Sequence, residues 1–207
     1  MRTGFQLGRV NARAPQPKAG VGLWRWLWVG LLGVCSLGVG GSIALAAPGD
    51  ISKEYRIKAA FLYNFTKFVE WPAGRFSSDE APVLIGVLGR NPFGTVLEET
   101  VEGRTVNGRP VRVVLLDSAQ RLAEVHVVFM AEGSPSCREE FAKAPDAGVL
   151  TVGECEEDAA CGAVINFLTV GDKVRFEISI PAAEARGLKL SAHLQKLAMT
   201  VHRATSN

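Results

Sequence analysis

Histidine is scarce in this sequence, with only three among 207 residues. The signatures H-E-x-x-H, G-x-S-x-G, G-x-G-x-x-G and the phosphate-binding G-x-x-x-x-G-K-[ST] are also absent. These absences remove the usual sequence support for a metalloprotease, a serine hydrolase or a nucleotide-binding protein. His126 lies in a stretch of valine and phenylalanine, where a structural histidine is commoner than a catalytic base, and His193 and His202 are expected at the surface. The sequence therefore predicts a protein that is not an enzyme and needs no cofactor.

Acidic residues are missing from positions 1–46. This segment holds five cations: Arg2, Arg9, Arg13, Lys18 and Arg25. An apolar run, broken only by Gly and Ser, then extends from Trp26 and ends in Ala44-Leu45-Ala46. A basic start, an apolar stretch and an A-x-A site together predict a secretory signal peptide that is cleaved after Ala46. The alternative is an uncleaved membrane anchor, because the run is about as long as the ~20 residues that span a bilayer.

A basic excess is also missing once the leader is set aside. The rest of the chain holds 18 basic and 21 acidic residues, a net charge of about −3. Nucleic-acid binding is therefore not expected. Residues 47–207 are enough for one domain with its own core.

Cysteine is rare, and three remain after the leader: Cys137, Cys155 and Cys161. Three pairings are open, and one thiol must be left over. Cys155 and Cys161 enclose a short acidic loop, so a bridge between them needs little rearrangement, and an oxidising compartment would keep it closed. No C-x-x-C occurs and only His126 is near, so no metal site is expected.

Aromatic residues are concentrated in the stretch 55–71, whose apolar positions recur three or four apart, as on one face of a helix. Pro72 is expected to end this helix. Most of the aromatics are expected in the core. Three side chains are expected to reach outward more than Phe61 or Phe68, and to be available to a partner: Tyr63, Lys67 and Glu70.

Strands and helices alternate from residue 81 onward, which predicts an α/β fold with three layers: a mostly parallel central sheet and helices on both faces. An antiparallel hairpin is expected from 163–168 and 173–178. Helices are expected near 134–144 and, at the end of the chain, over 191–202. The predicted strands are 82–88, 111–116, 125–130, 148–152 and the two of the hairpin.

A small-molecule site is an alternative function. Ligands of open α/β sheets bind beyond the carboxyl ends of the strands. Arg90 and Asn91 follow one predicted strand, and Arg90 and Arg175 could pair with an anionic ligand.

The stretch Lys58-Ala-Ala-Phe-Leu-Tyr-Asn-Phe65, together with Phe68 and Trp71-Pro72, resembles the N-terminal signature of the YfiR-like proteins. The resemblance continues in the same order over nearly the whole chain after the leader. It includes residues 85–89, 127–129, 149–153, 164–168, 174–178 and 183–191. One departure is Glu124-Val125, where many relatives carry a cysteine; another is Gly162-Ala163-Val164 in place of Gly-Gly-Met.

The resemblance implies a periplasmic negative regulator that binds the periplasmic region of a membrane-bound diguanylate cyclase and responds to redox state. Because Glu124-Val125 replaces a cysteine of many relatives, Cys155 and Cys161 would carry part of that response. The sequence leaves both a monomer and a homodimer open. Contact with the membrane is expected only through residues 1–46, and only if they are not removed.

Overall fold

The computed structural model describes residues 51–131, 137–142, 148–155 and 162–204. The predicted leader, residues 1–46, lies outside this part of the chain. The α-helices of the described residues are α1 (Lys53–Lys67), α2 (Val96–Val101), α3 (Cys137–Ala142), α4 (Ile180–Ala185) and α5 (Ala192–Leu197), and a 3-10 helix spans Ala119–Glu124. None of these helices is both long and apolar enough to cross a bilayer.

The described residues form ten strands: the six that were predicted, in the predicted order, and four short ones that were not. They are β1 (Val69–Glu70), β2 (Val83–Leu88), β3 (Thr105–Val106), β4 (Arg109–Leu116), β5 (Val127–Met130), β6 (Leu150–Gly153), β7 (Ile165–Val170), β8 (Lys173–Ser179), β9 (Lys189–Leu190) and β10 (Thr200–His202). Eight of them form one sheet in the order β10-β8-β7-β6-β5-β2-β4-β3, and β1 pairs with β9.

The prediction of a mostly parallel sheet with an antiparallel hairpin is confirmed. β2 lies between β4 and β5 with parallel pairing on both sides, and β6 continues the parallel order to β7. β7 and β8 form the predicted antiparallel hairpin. The short turn at Asn107-Gly108 joins β3 to β4. Asn107 has a φ of 50°, the left-handed conformation that Asn-Gly hairpin turns require.

Successive side chains of each strand point to opposite faces of the sheet, so both faces carry apolar residues and helices cover both. In β5, Val127 and Phe129 join the core under α1 and α2. Val128 and Met130 join a second core, under the 3-10 helix and α3. The predicted three-layer arrangement is therefore confirmed.

Two helix predictions are wrong at their ends. Helix α1 ends at Lys67 rather than at residue 71, because Val69 and Glu70 pair with β9. The predicted terminal helix 191–202 ends at Leu197, and Thr200–His202 instead joins β8 as a parallel strand. In both places hydrogen bonds to a distant strand replace those of one further helical turn, a tertiary preference that the local pattern does not contain. The predicted helix near 134–144 is observed over α3.

Candidate functional site

A buried ion pair joins helix α1 to the end of strand β6. The Lys58 Nζ atom lies 2.7 Å from Glu154 Oε1, and only 5% of each side chain is exposed. Lys58 also donates to the carboxylate of Glu54, one helical turn earlier. Because residues four apart share one face of a helix, α1 presents Glu54 and Lys58 together to β6.

Two hydroxyl groups complete this network. The Tyr55 hydroxyl donates to Glu154 Oε2 at 3.0 Å, and the Thr169 hydroxyl donates to Glu54 Oε1 at 3.1 Å. The hydrogen bond from Lys58 lowers the pKa of Glu54, against the opposing effect of partial burial. Burial, followed by the charge of Glu154, raises the pKa of Tyr55 well above its usual range. The network thus joins the carboxylates of Glu54 and Glu154 through the Lys58 side chain.

A polar cleft of about 340 Å³ opens beside the network, where β6 and β7 end. The carboxyl ends of parallel strands are where open α/β sheets commonly bind ligands. Its lining combines the charged groups with the end of β7 and one cysteine: Glu54, Lys58, Glu154, Cys155, Phe167, Leu168, Thr169 and Val170.

Asn166 holds the backbone of Cys155 at two points. Its Oδ1 accepts the Cys155 N–H at 2.8 Å, and its Nδ2 donates to the Cys155 carbonyl at 3.0 Å. The same amide nitrogen donates to Glu177 Oε1 at 3.3 Å, and the other carboxylate oxygen of Glu177, Oε2, lies 2.8 Å from His202 Nε2. A chain of side-chain contacts therefore connects Cys155 with the edge strand β10.

The other end of α1 borders an apolar cleft of about 260 Å³, formed with β8 and α5. Its lining is mostly aromatic and aliphatic: Phe61, Asn64, Phe65, Phe68, Phe176, His193, Leu194 and Leu197. Leu197 exposes 54% of its surface at this cleft. The Lys67 ammonium donates to Asn64 Oδ1 at 3.1 Å, which places a cation beside the cleft.

The three predicted partner-binding residues do not share one environment. Lys67 and Glu70 are exposed, as expected. The expectation for Tyr63 is wrong, since only 7% of it is exposed while Phe61 is half-buried. Tyr63 instead packs under Lys67, whose Nζ lies 4.1 Å from the ring centre, and its hydroxyl lies 3.4 Å from the Thr105 carbonyl. Contact of α1 with β3, which the helical pattern alone cannot reveal, explains this burial.

The three predicted ligand-binding residues lie apart. Arg90 and Asn91 follow β2, whereas Arg175 is on β8, and three strands separate β2 from β8 in the sheet. Both arginines are exposed. Asn91 serves its own loop, where its Oδ1 accepts the Phe93 N–H at 2.9 Å. The structure thus does not bring the two arginines together around one small anion.

The contacts of His126 are those of a structural residue rather than of a catalytic base. It is 5% exposed, and its Nδ1 accepts the Leu84 N–H at 3.1 Å, so the proton of the neutral ring is on Nε2. The ring stacks on Phe76 with centres 4.3 Å apart. Burial, reinforced by the charge of Arg75, lowers the pKa of His126 to about 4.

The remaining expectations concern His193, His202 and the pairing of Cys155 with Cys161. His193 is exposed, and its ring is tilted against that of Phe68 with the ring centres 5.0 Å apart. His202 is half-buried against Glu177. Cys155 is half-buried at the polar cleft. Cys161 lies outside the described residues, so its pairing with Cys155 stays a prediction.

Sequence reasoning missed the ion pair between Lys58 and Glu154. One signal was available, because Lys58 falls between apolar residues on a helix that is expected to be largely covered. Lysine is almost never fully buried without a partner. The identity of that partner, 96 positions later in the chain, could come only from the fold.

Comparison with known proteins agrees with the resemblance seen in the sequence. No curated protein matches the chain. The family model for YfiR/HmsC-like proteins matches residues 55–199, which include α1 after Glu54, the apolar cleft, the polar cleft except Glu54, and every strand except β10. The chain therefore belongs to the YfiR/HmsC-like family, a family of periplasmic regulators of diguanylate cyclase signalling.

Proposed function

We propose that this protein binds the periplasmic region of a membrane-bound diguanylate cyclase and thereby restrains cyclic di-GMP signalling. Family membership supports the general role. The observation that carries the specific proposal is the position of α1, which contacts the Cys155 region at one end and an apolar cleft at the other.

The partner-binding surface proposed here consists of Lys67, Glu70 and the exposed part of the apolar cleft at Leu197. Apolar anchors surrounded by charged residues are the usual composition of a protein interface. Lys67 and Glu70 supply charges of both signs at the rim, where they would set orientation and association rate more than affinity.

A bridge between Cys155 and Cys161 is proposed as the redox-sensitive element. It would close the loop 156–160 next to Glu154, the residue that holds Lys58. Opening the bridge would loosen Glu154, and the ion pair would transmit that change to α1. A Cys155→Ser, Cys161→Ser variant is therefore expected to be less stable and a weaker repressor than the parent.

The direct test is binding of the purified protein to purified periplasmic regions of the membrane diguanylate cyclases of the source organism. Lys67→Glu combined with Leu197→Asp is expected to weaken binding at least about tenfold, because it reverses a rim charge and makes an anchor polar. A suitable control is Lys53→Glu, the same charge reversal at the opposite end of α1, roughly 20 Å away. It should bind like the parent. Equal binding by all three proteins would refute the proposed surface.

A second candidate is a sensor of a small ligand with no cyclase partner, which the polar cleft favours. The charged side chains that line this cleft are two carboxylates and one ammonium group, so we infer that it suits a small organic cation rather than the anion expected from Arg90 and Arg175. The test is thermal unfolding with a panel of primary amines and guanidinium compounds. A rise in Tm that Glu54→Gln removes would support this function; no rise with any compound would eliminate it.

A further inference from the structure

Strand β4 has an outer edge that is only partly covered. On its inner side, Val111 to Leu116 all pair with β2. On its outer side, the two residues of β3 pair only with Arg109 and Pro110. Within the part of the chain that the structure describes, no strand pairs with the outer edge of β4 beyond Pro110.

The backbone groups that point outward along this edge can be identified. The Val111 N–H donates outward, to the Arg104 carbonyl at 3.1 Å, whereas the Leu116 carbonyl accepts on the inner side, from the Gly89 N–H at 3.1 Å. Successive residues of a strand alternate between the two sides in the direction of their hydrogen-bonding groups. The N–H and C=O groups of Val113 and Leu115 therefore point outward, away from β2.

The open edge borders a groove of about 460 Å³ between β4 and α2. Three carboxylates line it on the α2 side: Glu98, Glu99 and Glu102, all exposed. Arg112 contributes one positive charge, and Val111 and Val113 form an apolar floor. Leu115 follows them on the same face of the strand and exposes 54% of its surface.

We propose that this edge binds an extended segment of another protein, which adds to the sheet as a further strand beside β4. Exposed sheet edges are templates for such strand addition. Backbone hydrogen bonds at Val113 and Leu115 hold the segment. The glutamates of α2 select one that carries lysine or arginine.

Charge favours this occupant over a second copy of the chain. Two β4 strands paired about a two-fold axis normal to the sheet run antiparallel and place their α2 helices on the same face. The three glutamates of each copy would then lie close to those of the other, and like charges at an interface oppose binding. The proposal rests on the geometry of β4 and α2 alone and does not depend on which protein α1 contacts.

The probe is a short synthetic peptide in which lysine alternates with valine, compared with the same peptide carrying glutamate in place of lysine. We expect saturable binding of the lysine peptide, weakened by added salt, and none of the glutamate peptide. Amide hydrogen exchange should slow at Val113 and Leu115 in the bound state. The triple variant Glu98→Gln, Glu99→Gln, Glu102→Gln should bind the lysine peptide at least about tenfold more weakly.

The variant Leu115→Pro removes one outward N–H while leaving the pairing with β2 intact, and Leu115→Ala is its matched control. Leu115→Pro should abolish binding and Leu115→Ala should retain most of it. Because Leu115→Pro could also unfold the chain, the exchange rates of the unmodified protein serve as an independent readout. Absence of binding, or binding that leaves exchange at Val113 and Leu115 unchanged, overturns the proposal. A dimer that sedimentation detects and that Leu115→Pro dissociates overturns it in favour of a second copy.

Discussion

Lys58 of α1 and Glu154 at the end of β6 form an ion pair with a separation of 2.7 Å and with 5% of either side chain exposed. The two residues are distant in sequence, so the pair fixes the first half of α1 to the segment that enters the Cys155 loop. A buried charge that loses its partner costs far more than a surface charge does. This pair therefore attaches α1 to the residue that directly precedes Cys155.

The first prediction concerns the substitution Lys58→Met. It removes the ammonium group and leaves Glu154 buried, with Tyr55 still donating to it. Breaking a buried pair in this way is expected to lower the free energy of unfolding by about 3–5 kcal/mol. Urea unfolding followed by circular dichroism would measure the loss.

The double variant Lys58→Met, Glu154→Leu is the control, because it removes both charges and should recover a large part of the stability. Arg121→Met, in the exposed pair with Glu124, should show no measurable change. If Lys58→Met were as harmless as Arg121→Met, the ion pair would have no structural role.

The second prediction concerns the ionisation of Tyr55. Burial and the adjacent Glu154 carboxylate raise its pKa, so Tyr55 should remain protonated at alkaline pH values where an ordinary tyrosine ionises near pH 10. Ultraviolet titration of the parent and of Tyr55→Phe would detect this. The two curves should coincide around pH 10. A difference corresponding to one tyrosine at that pH would show that Tyr55 is not held by Glu154.

The third prediction concerns stability in acid. Burial lowers the pKa of His126 to about 4 in the folded state, whereas the unfolded value is about 6.5. Between these values the unfolded chain binds the extra proton, so stability falls as the pH decreases from about 6.5 to about 4. The loss assigned to His126 is up to about 3 kcal/mol.

Urea unfolding at several pH values, in the parent and in His126→Gln, would isolate this contribution. Because glutamine does not titrate, the free energy of unfolding of His126→Gln should fall less steeply over this range than that of the parent. Parallel curves for the two proteins would mean that His126 titrates normally in the folded state.

The fourth prediction concerns the two hydrogen bonds between Asn166 and Cys155. Asn166→Leu removes both while keeping a similar volume, so the backbone at Cys155 should become more mobile. With Cys137→Ser as background, dithiothreitol should then reduce the predicted Cys155–Cys161 bridge several-fold faster, as followed by thiol labelling. The control is Gln195→Leu, which also removes a side-chain hydrogen bond to a backbone carbonyl, that of Leu190. If dithiothreitol reduces the bridge at the same rate in both variants, the Asn166 hydrogen bonds do not hold the Cys155 backbone in place.

Much of the fold was predictable because the apolar strands are short, continuous and separated by clear turns. Apolar residues cluster in 163–168 and alternate with polar residues in 173–178, as expected for the two strands of a hairpin. Elsewhere, Asn107-Gly108 is a dipeptide typical of a tight hairpin turn. The errors occur where a short segment pairs with a distant strand. Val69 joins β9 and Thr200 joins β8, and in neither place does the local sequence indicate the partner.

The candidate site was less predictable for the same reason. Lys67 and Glu70 are exposed as expected, because charged side chains are rarely buried without a partner. Tyr63 is buried because β3 returns to α1. The polar cleft depends on Glu154, which the sequence shows only as one of several acidic residues near Cys155.

The measurement that tests the account most directly is intracellular cyclic di-GMP in the source organism with and without this gene. Deletion should raise the level. Restoring the parent protein or Lys53→Glu should lower it again, whereas Lys67→Glu with Leu197→Asp should not. An unchanged level on deletion would contradict the proposal that this protein restrains a diguanylate cyclase.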